Sequence, residues 1–143
     1  MPSPIDILPA GPQDRDAIAG LYAEAGYGAA LGADDTVIVA KAGATLAGVV
    51  RLCAEEGVTV LRGMQVRAAC QGQGIGARLL AACVPHMAKN ATFCLPYTHL
   101  EHFYAAAGFA RVHGAALPAI LNQRLAAYRE RGQDVIAMRR PAA

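Results

Sequence analysis

Gln71-Gly72-Gln73-Gly74-Ile75-Gly76 lies between a strand-like run ending at Val66 and a helical pattern opening near Gly74. Three glycines in five positions leave a length of main chain with no side-chain wall over it. Where such a turn meets the start of a helix, its successive N–H groups form a concave anion site, and the helix dipole adds to it. A phosphate-bearing ligand is the first implication.

Two kinds of phosphate turn share these letters. Read as Gly72-x-Gly74-x-x-Ala77, the stretch fits a dinucleotide fingerprint. That fingerprint belongs in a tight strand-to-helix turn of a parallel unit, with an acid about 20 residues on for the ribose. Here Arg67-Ala68-Ala69-Cys70 intervene after the strand, the strands before it read as hairpins, and Thr92-Phe93-Cys94-Leu95-Pro96-Tyr97 offers no acid.

Read as Val66-x4-Gln71-x-x-Gly74-x-Gly76, the stretch resembles the acyl-CoA pyrophosphate loop of the GNAT superfamily of N-acetyltransferases. A second signature comes at the usual distance downstream. Phe103-Tyr104-Ala105-Ala106-Ala107-Gly108-Phe109 is similar to that family's aromatic-Tyr-x3-Gly-Phe motif. The resemblance implies one α/β domain over residues 1–143 with the GNAT (acyl-CoA N-acyltransferase) fold, a mixed, mostly antiparallel central sheet with helices on both faces. It also implies transfer of an acetyl group from acetyl-CoA to a primary amine of a small molecule, protein or peptide, without a metal. A non-catalytic acyl-CoA-binding regulatory module on the same fold is the alternative. A thiol-release assay over a panel of amines separates the two.

The resemblance also distributes roles. Met64, Gln65 and Val66 offer main-chain groups to the pantetheine arm and the thioester carbonyl, and Gln71, Gly72, Gln73, Gly74, Ile75 and Gly76 hold the pyrophosphate through their N–H groups. Gln71, Gln73, Arg67 and Arg78 are candidates for further phosphate contacts. Tyr104 is the catalytic acid. A phenol of pKa about 10 matches an alkyl thiol closely enough to protonate the leaving sulfur while staying protonated at neutral pH. Tyr22, Glu24 and Tyr27 fall in the region that walls the acceptor pocket in that family. Many members carry Asn near the end of the fifth strand and Ala three residues later. Tyr97 and Leu100 stand there in this chain, which makes Tyr97 a further pocket candidate. A general base is not singled out among Glu24, Glu55, Glu101, His99 and His102, and an amine of low pKa needs none.

Composition narrows the partners. The chain of 143 residues is 55% hydrophobic, enough for an ordinary core, and only 17% charged with a net charge of +2. No basic stripe announces nucleic acid. The start has neither the basic nor the apolar segment of a signal peptide, and no apolar run approaches the ~18 residues of a membrane span. A cytoplasmic location is therefore expected, and the resemblance allows a homodimer. Cys53, Cys70, Cys83 and Cys94 show no Cys-x-x-Cys spacing and read as reduced, mostly buried thiols. Cys94, His99 and His102 lack an evident fourth ligand, so no metal site is expected.

In chain order, Ile5-Asp6-Ile7-Leu8 reads as a strand and residues 12–25 as a helix with Pro in its first turn. A small-residue loop comes next, Gly26-Tyr27-Gly28-Ala29-Ala30-Leu31-Gly32. Strands are expected over 36–41, 45–53 and 58–66, joined by turns at Ala42-Gly43-Ala44 and Glu55-Glu56-Gly57. A helix from the Gly-rich turn should end near Val84, before Pro85. The strand over 90–95 should run parallel to the one ending at Val66. Thr98 and Glu101 resemble a capping box opening a helix to about residue 107, with Gly108 as its C-cap. A strand over 110–117, an amphipathic helix over 118–129 stopped by Gly132, and a strand over 134–140 complete the reading. A full helix between the last two strands departs from the short hairpin common in the superfamily, and it could cover the acceptor side or build a dimer contact.

One pairing carries its own hypothesis. If Glu56-Gly57 is a two-residue hairpin loop, Glu55 faces Val58 and Arg51 faces Arg62. Two cations so placed repel unless a carboxylate or anion lies between them. Arg51 and Arg62 are therefore candidates for holding an acidic group of the acceptor, unless Glu55 or Glu56 screens them.

Overall fold

The computed structural model describes residues 4–27 and 31–143. The middle of the small-residue loop, residues 28–30, lies outside the described residues. Seven strands form one sheet in the order β1-β2-β3-β4-β5-β7-β6: β1 Ile5–Pro9, β2 Thr36–Ala42, β3 Thr45–Glu55, β4 Val58–Val66, β5 Thr92–Cys94, β6 Ala110–Arg111 and β7 Met138–Arg140. The helices are α1 Arg15–Glu24, α2 Ile75–Cys83, α3 Glu101–Ala105 and α4 Ala119–Glu130. β4 and β5 pair in parallel, and the other pairings described are antiparallel. This is the mixed, mostly antiparallel sheet expected. None of the helices described is long and apolar enough to cross a membrane. The chain divides into two compact units, Met1–Cys53 with Leu61–Val84, and Ala54–Val60 with Pro85–Ala143.

In the first unit, β2 pairs with β1 on one side and β3 on the other, turning through Gly43 at φ +63°. α1 grows out of a 3-10 turn at Pro12–Asp14, and its 3.6-residue period puts Ile18, Leu21 and Tyr22 on one face. That face packs on Val39, Leu46 and Val49. Burying each aliphatic side chain there stabilises by roughly 1.5–3 kcal/mol. Asp14 fixes the start of the helix. Its carboxylate accepts the Gly11 N–H at 2.8 Å and pairs with Lys41 of β2. α2 buries Ile75, Leu79, Leu80 and Cys83. It seats so closely on β3 that a Cβ at Gly48 would meet the Gln65 carbonyl at 3.0 Å and Leu79 Cδ1 at 3.1 Å. Pro85 stops the helix as expected, and Val84–Met87 continues only as a 3-10 turn.

The second unit joins the first residues of β4 to β5, with Thr59 opposite Thr92 and Val60 opposite Phe93. Residues Glu56 (φ +49°) and Gly57 (φ +76°), between β3 and β4, are both left-handed, as a two-residue type I′ hairpin loop requires. α4 supplies Leu121 and Leu125 to a core with Val60, Phe93, Leu117, Val135 and Ala137. The helix between the last two strands therefore covers the core of its own unit.

Three expectations fail here. Thr98 does not cap a helix: its hydroxyl donates to Asp134 Oδ1 at 2.8 Å, and Glu101 turns to Arg111 instead of the main chain. Residues 98–100 form a 3-10 turn, and α3 runs only Glu101–Ala105 before Gly108 at φ +94°. The strand over 110–117 ends at Arg111, because Gly114 adopts φ +54° and opens a 3-10 turn at Gly114–Ala116. The strand over 134–140 is reduced to β7, since Val135 makes only an isolated bridge to Tyr97 and the Ile136 N–H donates to the Pro96 carbonyl at 2.9 Å.

Candidate active site

The Gly-rich turn has an open main chain. After β4 a 3-10 turn at Ala68–Cys70 leads to Gly72 at φ +81° and Gly74 at φ +75°, and Gly74 is the N-cap of α2 with no side-chain cap. A Cβ built at Gly72 or Gly74 has nothing within 4 Å. The left-handed backbone favours glycine there, and no side chain caps the N–H groups entering α2. Residues 71–74 are exposed, whereas Ile75 is 2% exposed and anchors the turn in the core. This arrangement fits a diphosphate held by main-chain donors.

The side chains of Gln71, Arg67 and Arg78 are spent on the protein. The Gln71 side-chain amide donates back to the Val66 carbonyl at 3.0 Å. Arg67 donates from Nε to the Leu46 carbonyl at 2.9 Å and from Nη1 to Glu24 at 3.1 Å. Arg78 donates to the Ile5 carbonyl at 2.9 Å. Met64, Gln65 and Val66 are half-buried at the end of β4.

Tyr22, Tyr27, Arg51 and Arg62 gather in the same unit. Arg51 and Arg62 both donate to the Tyr27 hydroxyl, from Nη2 at 3.4 Å and from Nε at 3.1 Å. A carboxylate stands beside Arg51: its Nη1 lies 3.1 Å from Asp35 Oδ2, with both side chains buried. The Arg51 guanidinium also covers the Tyr22 ring at 5.5 Å and the Tyr27 ring at 5.9 Å. Tyr22 is 2% exposed and sits in the core, not on an exposed helix end. Its hydroxyl donates to the Gly63 carbonyl at 2.9 Å. Burial pushes that phenol well above its ordinary pKa against the opposing pull of Arg51, so the donor keeps its proton. Sequence reasoning does not single out Asp35 or Gly63. An isolated Gly inside a strand pattern is the available signal for Gly63; the pairing of Asp35 is tertiary and leaves none.

The three candidate carboxylates each receive an arginine. Glu24 receives Arg67, Glu55 receives Arg124 on both oxygens at 3.0 Å, and Glu101 receives Arg111 at 2.7 and 2.9 Å. Hydrogen bonding from Arg111, reinforced by its charge, holds the Glu101 carboxyl below the usual range. Burial pushes the Cys53 thiol up to about 11 and Cys83 up to about 12, and it raises Cys94 as well. These thiols stay protonated and inert at neutral pH.

Tyr97 and Tyr104 belong to the second unit. Tyr104, on α3, is 5% exposed and meets Phe103 and Phe109 edge to face, with centroids 4.9 and 6.1 Å away. The aromatic-Tyr-x3-Gly-Phe motif is thus a local packing unit: Gly108 closes α3 and returns Phe109 onto the Tyr104 ring. Tyr97 is 45% exposed and stacks on His99 at 5.8 Å.

Comparison with known proteins agrees with this architecture. Structural neighbours include an acyl-CoA N-acyltransferase from Pseudomonas aeruginosa (21% identity, TM-score 0.71, covering 96% of this chain and 99% of that one). ElaA of Escherichia coli aligns at 18% identity and TM-score 0.68, over 96% of this chain and 98% of its own. The N-acetylglutamate synthase of Neisseria gonorrhoeae, complexed with coenzyme A and N-acetyl-glutamate, aligns at 21% identity and TM-score 0.68; this chain is covered in full but spans only 36% of the synthase chain. At such identities these likenesses speak for the fold. A search of curated proteins finds no match. The family model for the acetyltransferase (GNAT) domain matches residues 33–111, from β2 and its approach through the Gly-rich turn to β6. With more than half its length matched, the chain belongs to the GNAT acetyltransferase family.

Proposed function

We propose that this protein transfers an acetyl group from acetyl-CoA to a primary amine. The observation that carries the reading is the open, left-handed glycine turn at the head of α2, where main-chain donors stand without a side-chain cap beside the end of β4. Residues 71–76 would hold the diphosphate there, and the main chain of Met64–Val66 would receive the pantetheine arm. When bound, the coenzyme supplies an activated thioester. The amine nitrogen would form the new C–N bond as the C–S bond breaks; Tyr104 would give its proton to the departing thiolate and regain one from solvent, to which the amine nitrogen loses its own.

On the acceptor side the residues to test are Tyr27, Arg51 and Arg62 of the guanidinium cluster, Glu24, and the exposed Tyr97. Hydrogen bonding from Arg111 makes Glu101 a poor proton acceptor, which favours an acceptor amine that arrives already neutral. Release of free thiol from acetyl-CoA should therefore be fastest, across a panel of amines, with those of low pKa, and should rise with pH for the more basic ones. Tight coenzyme binding without release for any amine would instead give the non-catalytic reading.

A further inference from the structure

β4 is not a regular strand. Gly63 sits in its interior at φ +68°, a conformation that L side chains rarely adopt. A left-handed residue inside a strand interrupts the alternation of main-chain groups and re-aims the next ones along the chain. In β4 those are the groups of Met64-Gln65-Val66. The break is built into the packing as well as the backbone: a Cβ at Gly63 would come within 2.5 Å of the Tyr22 hydroxyl and 3.2 Å of Arg51 Nε.

We propose that Tyr22 is a positioning residue, whose buried hydroxyl clamps the Gly63 carbonyl and so holds the turned main chain of Met64–Val66 in the orientation acyl transfer needs. The clamp has a rigid base. Tyr22 lies on the packed face of α1, its ring meets that of Tyr27 at a centroid distance of 4.9 Å, and Arg51 covers both rings while Asp35 holds its guanidinium at 3.1 Å. The Tyr22 hydroxyl thereby ties α1 to β4 at one carbonyl, and Arg51 of β3 lies against the ring that supplies it. Burial raises the Tyr22 phenol above its ordinary pKa, so at neutral pH the hydroxyl keeps its proton and the clamp is a fixed element and not a switch. This role differs from lining the acceptor pocket, which the position of Tyr22 in sequence suggests.

The inference rests on the reading that Met64–Val66 receive the thioester arm, and its test separates the two. In the unliganded protein, Tyr22→Phe should raise hydrogen exchange selectively at the Gly63–Val66 amides by about tenfold, with the rest of the first unit unchanged. With ligand, coenzyme A affinity should stay within about threefold of wild type because the Gly-rich turn is intact, while kcat falls by about 10- to 100-fold through misplacement of the reacting carbonyl. A variant with wild-type exchange at Gly63–Val66, or with wild-type kcat, overturns the clamp. If exchange rises as expected but wild-type protein binds no coenzyme A, the clamp stands as a structural device and it is the acyl-CoA reading that fails. Thermal unfolding of the same variant controls for general destabilisation: a local exchange increase without a matching loss of global stability is the expected pattern.

Discussion

Tyr104 can serve as the acid only if its hydroxyl, and not its ring, is what turnover needs. Phenylalanine tests that division, because the ring packing against Phe103 and Phe109 survives the substitution. Tyr104→Phe is expected to lower kcat by about 100-fold and to change KM for acetyl-CoA by less than about threefold, in steady-state kinetics with one amine. Unchanged turnover would remove Tyr104 from the chemistry. Gly74 tests the donor side in the same way. Its φ of +75° costs a non-glycine residue about 1 kcal/mol, and a carboxylate in the turn would oppose an incoming diphosphate. Gly74→Glu should weaken coenzyme A binding by at least about tenfold while leaving the protein folded. These two residues are legible as candidates in the sequence because glycine spacing and a short aromatic motif are local signals. The Tyr22–Gly63 bond is not, since it joins residues 41 positions apart and depends on how α1 packs.

At the scale of elements, the contact of α2 with β3 decides where the Gly-rich turn sits. Gly48 is the point of close approach, so Gly48→Ala should press on the Gln65 carbonyl and on Leu79, costing about 1–3 kcal/mol and loosening coenzyme binding with it. Thermal melts with and without coenzyme A measure both effects. The junction of α1 with β2 carries a pH dependence. The Asp14 carboxyl is held below its ordinary value of 3.8, first by Lys41 and then by the Gly11 N–H. Between its folded and unfolded pKa values the folded state binds fewer protons, so this contribution is complete above the ordinary value and lost as pH falls through the lowered one. Asp14→Asn should flatten the stability profile below about pH 4 in acid-denaturation curves; an unchanged acid limb would contradict the assignment. Element boundaries are readable where turn chemistry fixes them, as at Glu56-Gly57 and Gly132. They are not readable at Thr98, where Asp134 competes for the hydroxyl, or over residues 112–117 and 134–137, where irregular pairing replaces the expected ladders.

For the whole molecule, the family match and the strand order agree with what the two short motifs imply, and α4 supplies core to its own unit. A net charge of +2 gives little long-range attraction for a polyanionic coenzyme, so affinity has to come from local donors. The arginines near the turn are engaged with Glu24 and with main-chain carbonyls, so on the proposed reading the amides of the turn would be what holds the diphosphate. Calorimetric titration of the wild-type protein with coenzyme A and, separately, with pantetheine, which lacks the diphosphate, tests this most directly. The account predicts saturable one-to-one binding of coenzyme A, and binding of pantetheine weaker by at least about 100-fold, or roughly 2.8 kcal/mol. Equal affinity for the two ligands, or no binding of either, would contradict it.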